Sequence, residues 1–104
     1  MAQEREYNTI IVESFYSSDT SGRHGPLHVR PAKHQIFSQS LFVECSKELV
    51  NTRLHPVGTK FRIKVKLTDR EGGATFLYSS YKWPYYVVSD DEFLKLYSKS
   101  KSKR

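Results

Sequence analysis

The chain has 104 residues, 38% of them aliphatic, aromatic or sulfur-bearing, which is enough for one small domain and too few for two. No run approaches the roughly 20 apolar residues of a membrane helix. The polar first residues lack the apolar stretch of a signal peptide, so no membrane span and a cytoplasmic location are expected. The net charge of +6 is uneven: residues 60–66 and residues 99–104 carry +4 each, leaving −2 for the remainder.

A first strand is expected over residues 7–15, where Ile10, Ile11 and Val12 stand in a row. Residues 16–26 are polar and hold Gly22, Gly25 and Pro26, which reads as a loop. A short strand over residues 27–30 follows, limited by Pro31, which has no N–H for a ladder. Ile36, Phe37 and residues 41–45 form another extended apolar segment, and residues 46–49 open one or two helical turns. Pro56 and Gly58 mark a turn.

Residues 59–67 alternate strictly: Phe61, Ile63, Val65 and Leu67 on one side, Lys60, Arg62, Lys64 and Lys66 on the other. Period two over that length is a half-buried strand. Gly72 and Gly73 turn the chain into an antiparallel partner over residues 75–81, and residues 85–88 add a strand after Pro84. Ser89 with Glu92 three residues on is a capping box, opening a short helix through Phe93, Leu94, Leu96 and Tyr97. Residues 1–98 are thus expected to be one domain, with residues 99–104 a disordered basic tail. Short strands joined by Gly/Pro turns make the expected class mainly β. The expected form is a small antiparallel β-barrel, SH3-like or OB-like, with a short C-terminal helix; the alternative is an α+β open antiparallel sheet.

Four features are candidates for chemistry. Arg23, His24, His28 and Arg30 form a candidate ligand loop, because two guanidinium groups can grip a phosphate or carboxylate and a histidine moves protons near neutral pH. His24, His28 and His34 cluster in sequence, but His24 and His28 would lie roughly 13 Å apart on a strand, so no metal site is assigned. Cys45, lone in an apolar pattern, cannot form an internal disulfide or zinc cage and reads as a buried, unreactive thiol. No nucleotide fingerprint, nucleophile elbow or cofactor motif is present, and no catalytic residue is assigned. Residues 76–86 hold six aromatic side chains beside the basic strand. Rings for stacking beside cations for phosphates are what single-stranded nucleic acid needs, and the same residue types are enriched at protein interfaces.

The runs at residues 22–31, Val43-Glu44-Cys45-Ser46, Pro56-Val57-Gly58-Thr59, residues 66–73 and Trp83-Pro84-Tyr85 resemble small uncharacterised bacterial proteins, some carried as mobile integron gene cassettes. The resemblance spans about residues 7–88. It implies a bacterial, single-domain accessory protein and no activity, cofactor or site.

The leading expectation from the residues is a non-catalytic binding module. It contacts single-stranded or structured nucleic acid through Lys60, Arg62, Lys64 and Lys66, helped by Tyr78, Tyr81 and Trp83. A protein-interaction or homo-oligomeric module, and a small enzyme built on Arg23, His24, His28 and Arg30, are the alternatives.

Overall fold

A computed structural model describes residues 7–16, 27–69 and 75–102, with side chains through residue 96. The chain order is β1 (Tyr7–Tyr16), β2 (Leu27–Pro31), β3 (Val43–Glu44), a 3₁₀ turn (Lys47–Val50), β4 (Lys60–Asp69), β5 (Thr75–Tyr78), β6 (Tyr86–Val88) and α1 (Asp90–Ser102). The strands form one sheet in the order β2-β1-β4-β5-β3, with β6 also paired to β4. The two ends of that order, β2 and β3, approach each other, so the sheet is nearly closed into a barrel. The fold is mainly β, as the sequence predicts. All pairings are antiparallel except β3 with β5, which is parallel.

The barrel interior follows from the two-residue period. Phe61, Ile63 and Val65 of β4 meet Val12 and Ile10 of β1, Val29 of β2, Val43 of β3 and Leu77 of β5, all buried. Leu49 of the 3₁₀ turn plugs the same core. Ser46 caps that turn, its hydroxyl accepting the Glu48 N–H at 3.2 Å. Burying each such side chain contributes about 1.5–3 kcal/mol.

Pro31 sits inside the ladder at little cost. Ala32 N–H donates to Ile11 C=O at 2.9 Å, so even-numbered residues of β2 bond β1 and Pro31 faces away from that ladder. Gly58 takes φ +95 and donates its N–H to the main-chain and side-chain oxygens of the buried Ser14, both at 3.1 Å, delivering the chain into β4.

Several boundaries differ from the sequence expectation. β5 ends at Tyr78, and β4 pairs with it only over Lys66–Asp69; Lys60–Arg62 pair with β6 instead. The apolar segment at residues 36–45 contributes only Val43–Glu44 as strand, because residues 33–41 turn repeatedly. The helix runs past Tyr97 to Ser102, into the stretch expected to be a disordered tail. Lysine is a good helix former and suits a helix C-terminus. The Gly72-Gly73 turn lies outside the described residues.

α1 does not extend the barrel core. It covers one end of the sheet's outer face, where Phe93 packs on Ile11, Ala32 and Val88. Ser89 Oγ accepts the Glu92 N–H at 3.0 Å, the serine half of the capping box. The Glu92 carboxylate reaches Arg62 on the sheet.

Candidate functional site

The outer face of the sheet is set by strand parity and register. Lys60, Arg62, Lys64 and Lys66 all project from it, as the alternation predicts. The register Tyr7↔Lys66 and Thr9↔Lys64 adds Tyr7 of β1, and Lys66↔Tyr78 adds Tyr78 of β5. Trp83 joins them from the loop between β5 and β6. Its ring lies edge-on to Tyr7 at 5.3 Å and to Tyr78 at 6.1 Å.

The four cations share a face but not an environment. Lys60 Nζ lies 3.8 Å from Glu13 and 3.7 Å from Asp90, and 4.9 Å from the Phe93 ring centroid. Arg62 lies 3.4 Å from Glu92. Helix α1 therefore brings carboxylates to one half of the stripe. The other half is lined with rings. Lys64 Nζ is 5.3 Å from the Trp83 centroid and 5.8 Å from Tyr7, and Lys66 Nζ is 5.6 Å from Tyr7. Each such contact contributes about 0.5–1 kcal/mol at an exposed site. Lys64 is exposed, and among the described residues no carboxylate pairs with it.

Of the aromatics read from the sequence, Tyr78 and Trp83 belong to this cluster. Tyr81 stands apart at 73% exposure, with Lys82 Nζ 5.8 Å from its ring centroid. Nothing in the sequence singles out Tyr7 as a member of this cluster. Its alternation with Thr9 and Ile11 is visible in sequence, but only the β1–β4 register places it against Lys64 and Lys66. Tyr86, opposite Arg62 and 57% exposed, flanks the cluster on the other side.

The candidate ligand loop is only partly described. Arg23 and His24 lie outside the described residues. Arg30 Nε donates to Glu13 Oε2 at 2.7 Å, and its guanidinium lies 4.3 Å from the Phe15 centroid. His28 leans on the same ring at 6.2 Å. Gln39 also donates to Glu13 Oε2 (3.3 Å) and to Pro31 C=O (3.1 Å). Arg30 is thus engaged in joining β1, β2 and the following turns.

Two half-buried groups packed against the core have shifted proton affinities, Cys45 among them rather than fully buried. Burial first, then the neighbouring Glu44 charge, pushes the Cys45 thiol up to about 12 from an ordinary 9.0. Tyr85 donates its hydroxyl to Glu48 Oε1 at 2.9 Å and lies 3.2 Å from His55 Nε2. Partial burial, then that hydrogen bond and the Glu48 charge, raise the Tyr85 pKa. The His55 and Tyr85 rings both stand edge-on to Phe61, so this polar trio closes one end of the core.

No protein-family model, curated protein or solved structure matches the chain.

Proposed function

We propose that this protein is a non-catalytic binding module for single-stranded or structured nucleic acid. Its contact patch is narrower than the whole basic strand and consists of Lys64, Lys66, Tyr7, Tyr78 and Trp83. The observation that carries the reading is the placement of Lys64 and Lys66 among aromatic rings on one sheet face. A rigid sheet carrying rings and cations offers stacking surfaces and phosphate partners together, and stacking contributes about 1–3 kcal/mol per base. Lys60 and Arg62, held by the acids of β1 and α1, serve the fold more than the ligand. Residues 99–104 add sequence-independent attraction.

The test is fluorescence anisotropy with labelled single-stranded DNA and RNA at two salt concentrations. Lys64→Glu/Lys66→Glu should weaken binding at least about tenfold, because repulsion replaces attraction on a fixed surface. Deleting residues 99–104 should cost less and flatten the salt dependence. Binding that responds only to the tail deletion would contradict the patch, and no binding at low salt would contradict the function.

A protein-interaction or homo-oligomeric reading draws support from β6, where Tyr86 and Val87 are both more than half exposed. Sedimentation at rising concentration tests it: a constant monomer mass is the result the nucleic-acid reading expects.

A further inference from the structure

The hydrogen-bond ladder of β4 is interrupted at one residue. In an antiparallel sheet, successive residues turn their N–H and C=O to opposite neighbours. Ser14 N–H donates to Thr59 C=O at 3.2 Å, and Ala32 N–H donates to Ile11 C=O at 2.9 Å. Even-numbered residues of β1 therefore bond β4, and odd-numbered ones bond β2. Through the register Ile10↔Ile63, the main chains of Phe61, Ile63 and Val65 face β1. Those of Lys60, Arg62, Lys64, Lys66 and Thr68 face the other way. There Lys66 and Thr68 meet Tyr78 and Phe76 of β5, while Lys60 and Arg62 meet Val88 and Tyr86 of β6.

Lys64 falls between the two. Continuing β5 would bring Ser80 opposite it, but Ser80 C=O accepts the Trp83 N–H at 3.0 Å as the chain turns away. Continuing β6 backward would bring Pro84, which has no N–H to give. Among the described residues, nothing accepts the Lys64 N–H or donates to its C=O. The unpaired stretch is one residue long, so an added peptide strand, which pairs over several residues, does not fit. A single planar group with a donor and an acceptor side by side does, and the Watson–Crick edge of a nucleobase is such a group.

The geometry points to the Lys64 main chain as the reader of the Watson–Crick edge of one unpaired nucleobase, beside the Tyr7 and Trp83 rings. The protein accordingly selects single strands over duplex. This rests on the nucleic-acid reading above and adds to it a requirement for an open base edge.

The test compares adenine and uracil homopolymer strands with their N6,N6-dimethyladenine and N3-methyluracil counterparts, which keep phosphates and ring faces but lose the edge donor. Edge methylation should weaken binding at least about fivefold, as should pairing into a duplex. Lys64→Gln should lower affinity for every strand yet keep the methylation ratio, because the main chain is unchanged. In the free protein the Lys64 amide should exchange with solvent much faster than those of Arg62 and Lys66, and should slow when a strand binds. Equal affinity for plain and methylated strands, loss of the ratio in Lys64→Gln, or a free-state Lys64 amide as protected as its neighbours would overturn this inference alone. Absence of binding to every strand would overturn it together with the nucleic-acid reading.

Discussion

Ile63 is 3% exposed and Lys64 beside it is open to solvent, and one two-residue period places both. Ile63 packs in the barrel core, so Ile63→Ala should destabilise the protein by about 2–5 kcal/mol in urea titration. A loss under about 0.5 kcal/mol would mean the site is not core. Cys45 gives a second prediction at this scale. Its thiol is held neutral to about pH 12 in the folded chain and ionises near its ordinary 9.0 once unfolded. Between those values the unfolded state binds fewer protons than the folded one, so stability falls as pH rises from about 9 toward 12. Cys45→Ala should lose this part of the slope, which the difference between the two proteins isolates from tyrosine and lysine titration. Thiol reagents should label native Cys45 slowly and the unfolded chain rapidly.

Helix α1 decides which half of the basic stripe faces a ligand. Its first turn carries Asp90, Asp91 and Glu92, which suits the positive end of the helix dipole. Asp90 and Glu92 also pair with Lys60 and Arg62 across to the sheet. Asp90 is exposed, Arg62 and Glu92 are half-exposed and only Lys60 is mostly covered, so each pair contributes about 0–1 kcal/mol to stability. Asp90→Asn/Glu92→Gln should therefore lower the melting temperature, by about 4–8 °C per kcal/mol lost, while tightening single-strand binding up to about fivefold at low salt. A weakened affinity would mean that α1 itself touches the ligand.

Across the whole molecule, what is legible in sequence is what is local. The alternation of β4, the Ser46 and Ser89 caps and the Pro56–Gly58 turn are each written within a few residues. What is not legible is register between distant strands. Tyr7 reaches Lys66, and Glu13 ties Arg30 to Lys60, only because β1 lies between β2 and β4. The split of β4's far edge between β5 and β6 has the same origin: it depends on where β5 stops, and no residue near Tyr78 announces that. The candidate patch is therefore half visible, its cations, Tyr78 and Trp83 readable from pattern, its Tyr7 wall and its unpaired main chain readable only from the folded sheet.

An amide NMR titration of the full chain with an unstructured oligonucleotide tests the central claim most directly. The account predicts progressive, saturable shifts at Tyr7, Lys64, Lys66, Tyr78 and Trp83, together with the Trp83 indole N–H, and much smaller shifts at Lys60 and Arg62. Shifts confined to residues 99–104, or spread evenly over every lysine, would contradict it.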